Sequence, residues 1–196
     1  VHPMAHALHY GSSVFEGIRA YQTAKGPAIF RLKEHLDRFL YSAAVAKMDV
    51  PYTREDIIRT IKLTLKENKL ESAYIRPLLF FSYGNLGLVP KFCPVELIVG
   101  TWEWGAYLGT EGLEKGIRIK TSSYTRHHVN ISMCKAKATG HYINSMLALR
   151  EALDCGYDEA LLLDHEGYVA EGSGENFFLV RDGVISTPSE TDNCLL

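Results

Sequence analysis

Two long apolar stretches constrain the fold of this chain more than any other feature. A-Y-I-R-P-L-L-F-F-S-Y (73–83) and V-E-L-I-V-G-T-W-E-W (95–104) each read as one long strand, separated by the glycine loop G-N-L-G-L-V-P-K (84–91). Residues 33–48 carry Leu36, Phe39, Leu40 and Ala43 or Ala44 at helical spacing, with no capping side chain to mark the start. Thr53 and Asp56 have the spacing of a capping box, opening a helix over 54–68 with Ile57, Ile58, Ile61 and Leu65 on its apolar face. G-P-A-I-F-R-L (26–32) reads as a short strand after a turn. The expected class is α+β.

The pattern resets after G-A-Y-L-G-T-E-G (105–112), the expected linker. A small N-terminal α+β domain is therefore predicted over 1–104 and the first part of a larger domain over 113–196. In the latter, G-I-R-I-K-T-S-S-Y (116–124) predicts a strand. Residues 139–155 predict a helix with Tyr142, Ile143, Met146, Leu149 and Leu153 on one face and Gly156 closing it. D-E-A-L-L-L-D (158–164) reads as a buried strand. Asp182-Gly183 predicts a type I′ turn between N-F-F-L-V-R (176–181) and V-I-S-T. Both ends read as cut, from Val1 to S-E-T-D-N-C-L-L, so the second domain is expected to be incomplete.

Composition excludes several classes. With 46% hydrophobic and 22% charged residues the 196-residue chain is globular. A net charge of −2 provides no basic field for nucleic acid. No apolar run reaches the roughly 18 residues of a membrane span. Cys93, Cys134, Cys155 and Cys194 form no C-x-x-C pair, which predicts a reduced, cytoplasmic protein. His2, His6, His9, His127 and His128 are joined by no carboxylate or cysteine ligand pattern, so no metal is expected.

Chemistry concentrates in C-K-A-K-A-T-G-H-Y (134–142) and E-G-S-G-E-N (171–176). Lys137 is flanked by Ala136, Ala138 and Gly140, placed between a predicted strand end and a helix start; small neighbours let a planar ring approach the backbone. A partly buried lysine becomes nucleophilic. Its amine can form a Schiff base with an aldehyde, and a carboxylate such as Glu171 can keep a pyridine nitrogen protonated. Pyridoxal 5′-phosphate needs both partners. Tyr142 could reach the phenolic oxygen of that ring or simply pack on its helix. Arg19, Arg38 and Arg76 are candidate anion clamps. Arg38 reads equally as an ion pair on a helix face. Arg76, inside an apolar strand, needs a partner or a role.

The strings H-A-L-H-Y-G-S-S-V-F-E-G-I-R-A-Y, F-R-L-K-E-H-L-D-R-F, Y-I-R-P-L, W-G-A-Y-L-G, K-A-T-G-H-Y and E-G-S-G-E-N-F-F run through the chain in order. Together they resemble the fold-type IV (class IV) pyridoxal-phosphate enzymes, most closely the branched-chain amino-acid aminotransferases. The resemblance implies amino transfer between leucine, isoleucine or valine and 2-oxoglutarate in an at least dimeric enzyme. It implies that Lys137 carries the Schiff base, Glu171 pairs with the pyridine nitrogen, Tyr142 bonds the phenolic oxygen and Arg38 binds the phosphate. Tyr74 would hold the substrate carboxylate, and Arg76 with Tyr10 the side-chain carboxylate of glutamate. Phe15, Gly17, Trp104 and Tyr107 would wall the apolar pocket, and a partner subunit would contribute the loop at Leu86–Leu88. D-amino-acid aminotransferases and aminodeoxychorismate lyases share the arrangement. Further phosphate and carboxylate donors are expected beyond Leu196, so this polypeptide made alone is expected to be inactive or badly folded; the alternative of a different class is a non-catalytic oligomerisation or binding fragment.

Overall fold

The computed structural model describes residues 1–105 and 109–189. The chain divides into two compact units, Val1–Gly105 with Ala136–Gly140, and Ala106–Lys135 with His141–Leu196. Lys137 thus belongs with the first unit, whereas the sequence places it within 113–196.

The first unit runs α1 (His6–Tyr10), β1 (Ser13–Phe15), β2 (Ile18–Thr23), β3 (Gly26–Ile29), α2 (Leu32–Val45), α3 (Arg54–Glu67), β4 (Ala73–Phe81) and β5 (Val95–Trp102). Its strands form one five-stranded antiparallel sheet. β4 pairs along one edge with β5. Along the other it pairs with β2 at Ala73–Ile75 and with β1 at Leu78–Phe80. The gap between β1 and β2 falls at Glu16-Gly17, where the Glu16 N–H donates to the Pro77 carbonyl at 3.0 Å. In an antiparallel strand a residue's N–H and C=O point to the same neighbour. The N–H that Pro77 lacks therefore faces this gap, and proline is accommodated in mid-strand.

Alternate residues of β4, namely Ala73, Ile75, Leu79 and Phe81, join one core with Leu36, Phe39 and Ala43 of α2 and Ile57, Ile61 and Leu65 of α3. Strand alternation turns Tyr74 and Arg76 to the other face. The capping box of α3 forms as predicted: Thr53 Oγ1 accepts from the Asp56 N–H, and Asp56 Oδ2 from the Thr53 N–H. The strand expected over 26–32 stops at Ile29, because Arg31 turns through φ 50° to start α2 without a side-chain cap.

In the second unit α4 (Gly109–Lys115) and β6 (Ile119–Thr121) precede a short 3-10 turn, Thr139–His141, that leads into α5 (Tyr142–Asp154). Then follow β7 (Glu159–Leu163), β8 (Val169–Gly172), β9 (Leu179–Arg181) and β10 (Val184–Ser186). β7 pairs parallel with β6 and antiparallel with β8. The segment 105–112, expected to be a linker, already enters α4 at Gly109. The strand expected over 116–124 contracts to three residues, and that over 176–181 to Leu179–Arg181. The turn is type I′ as predicted, with Asp182 at φ 51° and Gly183 at φ 76°.

The predicted face of α5 is corrected. Ser145, Ala148 and Ala152 are its buried residues, and the two alanines cluster with Ala160 and Leu162 of β7. Ile143, Met146 and Leu153 are 62%, 66% and 51% exposed. Small side chains let the helix lie close on the strand, a contact that larger ones would hold apart. α5 ends in a Schellman motif. Gly156 at φ 78° donates to the Leu153 carbonyl, and Tyr157 to that of Ala152. A Cβ on Gly156 would meet no atom within 4 Å. Gly156→Ala should therefore cost backbone strain alone, about 1–2 kcal/mol. Urea denaturation should show a lower midpoint at unchanged slope; an unchanged midpoint refutes this account.

Among the described residues no helix is long and apolar enough to cross a membrane, and no group of three His, Cys, Asp or Glu side chains could hold a metal ion.

Candidate active site

In the first unit the Lys137 backbone is held on both sides. Its N–H donates to Ser42 Oγ at 2.9 Å, and its carbonyl accepts from the Phe15 N–H at 3.0 Å. Ala138 bridges Val14, and Thr139 Oγ1 bonds Ser13 Oγ and the Gly11 carbonyl. These contacts explain why this stretch belongs with the first unit. The expected strand end before Lys137 is not there: β6 ends at Thr121, far upstream. The lysine Nζ lies 4.9 Å from the centroid of the Phe15 ring.

Glu16, in the gap between β1 and β2, is fully buried. Arg38 reaches it from α2 through Nε at 2.5 Å and Nη2 at 2.8 Å, and His35 through Nδ1 at 2.8 Å. Burial pushes the Glu16 carboxyl pKa up. Hydrogen bonds from Arg38 and His35 and the charges of Arg38 and Lys137 outweigh it and hold the pKa below its ordinary value. Ser42 Oγ, which receives the Lys137 N–H, itself donates to the Arg38 carbonyl at 2.8 Å.

The face of β4 turned from the helices is aromatic and cationic. The Arg76 guanidinium donates to Tyr74 Oη from Nη2 at 2.9 Å and lies 4.4 Å from the Phe15 ring centroid. The Tyr74 ring packs on Trp102 and Trp104 at 4.9 and 4.7 Å. Gly17 lies against Tyr74: a Cβ would stand 2.3 Å from Tyr74 Oη, so any side chain there would displace the tyrosine ring. Tyr10 stacks on His6 and donates to the Leu86 carbonyl at 2.8 Å. His6 Nε2 bonds the next carbonyl, that of Gly87. Arg19 reaches the Gly105 carbonyl at 3.4 Å and Tyr21. Tyr107 lies outside the described residues.

In the second unit Glu171 sits on β8 opposite Leu162 and is 7% exposed. It forms an ion pair with Arg126, itself 5% exposed, whose backbone N–H donates to the Leu163 carbonyl at 2.7 Å. Tyr142 is the first residue of α5. Nearby in sequence, burial and then the Glu159 charge push the Glu175 carboxyl up to about 7. Glu16 and Arg126 escape the sequence reading. A charge set among apolar residues in V-F-E-G-I was a usable signal for the first. T-S-S-Y-T-R-H-H offers none for the second.

The family model for amino-transferase class IV matches residues 13–196. The chain belongs to the class IV aminotransferases. It is 55% identical to the branched-chain-amino-acid aminotransferase of Pseudomonas aeruginosa over 97% of its length, and 44% identical to that of Escherichia coli over 100%. It spans 62% and 63% of those two relatives. The crystal structure of the Escherichia coli enzyme superposes over the whole chain with a TM-score of 0.97, covering 64% of that structure. The branched-chain amino acid aminotransferase of Thermobaculum terrenum, solved in its PLP form, is 34% identical; the match has a TM-score of 0.88 and covers 100% of this chain and 64% of that one. The fold is the mixed α/β class IV fold.

Proposed function

We propose that this chain carries the reacting groups of a branched-chain amino-acid aminotransferase that uses pyridoxal 5′-phosphate. The observation that carries the reading is the donor set. The first unit offers an amine on a fixed backbone, Lys137, and a guanidinium on a fixed carboxylate, Arg38. The second offers a buried carboxylate already matched to a cation, Glu171. An aldehyde, a phosphate and a pyridinium nitrogen would find their complements in these groups. The cofactor, when bound, supplies an electron sink that acidifies the substrate Cα–H.

Lys137 would hold the cofactor aldehyde and move the proton at the substrate Cα as general base and acid. Glu171, buried beside Arg126, would pair with the pyridine nitrogen. Tyr142 donates to the phenolic oxygen, and Arg38 binds the phosphate. Tyr74 orients the substrate carboxylate. Phe15, Gly17, Trp104 and Tyr107 exclude water around the leucine, isoleucine or valine side chain. Arg76, with Tyr10, receives the second carboxylate of glutamate or 2-oxoglutarate. The proposal extends to a homo-oligomer, at least a dimer, in which the Leu86–Leu88 loop serves the partner's site, and to a cytoplasmic location, with neither nucleic acid nor membrane as partner.

An apolar pocket with one arginine separates its two substrates. Arg76→Leu should raise KM for 2-oxoglutarate about 10–100-fold, the worth of a charged hydrogen bond, and that for leucine only a few-fold. Equal changes in both would remove Arg76 from that role. For the function as a whole, the decisive assay compares L-leucine and D-alanine as donors to 2-oxoglutarate, and looks for pyruvate from aminodeoxychorismate. Turnover of D-alanine alone, or pyruvate release, replaces this reading with a relative of the same fold.

A further inference from the structure

We propose that Glu16 is a positioning residue for phosphate recognition: its buried carboxylate sets the plane in which Arg38 presents its guanidinium. This rests on the pyridoxal-phosphate reading above.

Glu16 itself is fully buried, in the gap between β1 and β2. It meets Arg38 fork to fork, Oε1 with Nε and Oε2 with Nη2. Two parallel hydrogen bonds fix the orientation of both planar groups, which a single contact would not. The carboxylate is fixed in turn by the Gly17 N–H at 3.2 Å and by His35 Nδ1, one turn before Arg38 on α2. With Nε and Nη2 committed, the direction of Nη1 is determined by Glu16 and no longer by the four torsions of the arginine side chain. Ser42 extends the same control to the backbone, since one buried hydroxyl links the Arg38 carbonyl to the Lys137 N–H. The Arg38 and Lys137 backbones are thereby held at a set spacing. A guanidinium whose plane is fixed in this way suits recognition of a tetrahedral oxyanion.

The site also explains why a charge is kept where the sheet could have been apolar. Neither α2 nor β4 needs Glu16 for the core, which is built of Leu36, Phe39, Ile75 and Leu79. Its partners are instead polar or cationic: Arg38, the His35 ring and, at longer range, Lys137.

The test compares pyridoxal 5′-phosphate with pyridoxal, which lacks only the phosphate, binding to purified apoprotein by absorbance titration. Glu16→Gln keeps the shape and loses the charge. It should weaken binding of the phosphorylated form about 10–100-fold and leave pyridoxal within two-fold. Arg38→Lys keeps a cation beside Glu16 but not the fork, and should lose the same preference; this variant decides if Glu16→Gln does not fold. Inorganic phosphate should compete with the cofactor in the native protein and weakly in either variant. Equal loss for both ligands in Glu16→Gln, or a native preference retained in either variant, overturns the inference. A native protein that does not prefer the phosphorylated form refutes the cofactor reading instead.

Discussion

Replacing Lys137 with alanine in the purified holoenzyme should lower kcat by at least about 10³–10⁴-fold, because in the proposed function one group would both hold the cofactor aldehyde and transfer the proton. Added cofactor should then leave no borohydride-fixed pyridoxyl group at position 137, whereas the native protein should carry it in the peptide containing K-A-K-A-T-G-H. The thermal midpoint should change little. The contacts that hold this stretch to the first unit run through the Lys137 backbone, Ala138 and Thr139, and an alanine keeps them all. Residual turnover within ten-fold of native, with a fixed pyridoxyl group on another lysine, would remove Lys137 from both roles.

Glu171→Gln should have the next largest effect, and on two readouts. Losing a fixed charge aimed at a developing one costs about 10²–10³-fold in kcat. The same change breaks a buried ion pair and leaves Arg126 uncompensated, for which about 3–5 kcal/mol of stability is typical. Both side chains are nearly excluded from solvent, so screening gives little relief. Arg126→Met in the Glu171→Gln background should recover stability, since the uncompensated cation is gone, and should not recover kcat. If kcat returned together with stability, Glu171 would be a structural partner of Arg126 only.

Local rules read correctly where the structure depends on neighbours in the chain. The capping box at Thr53 and Asp56 and the Asp182-Gly183 turn both form, because each is decided within four residues. The two long strands are present with slightly shorter ends, and the structure decides the face that α2 and α3 cover. The reading of α5 failed for a reason of packing. Large apolar residues at helical spacing look like a core face, but the face applied to β7 carries Ser145, Ala148 and Ala152. Periodicity registers hydrophobicity and is blind to how close two elements must come.

The sequence by itself determined the α+β class, the two long strands, the helices over 33–48, 54–68 and 139–155, and the chemistry available at Lys137 and Glu171, since these depend on residue type and on spacing along the chain. Only the tertiary structure decided which partners those groups have. Glu16 and Arg38 are joined across a strand and a helix, Arg126 finds Glu171 across a long separation, and Lys137 is tied by Ser42 and Phe15 to the first unit. A buried charge is tolerated only where the fold delivers a counter-charge in hydrogen-bonding geometry. No local pattern specifies that geometry, because the residues that satisfy it are brought together only when the sheet and its helices close around them.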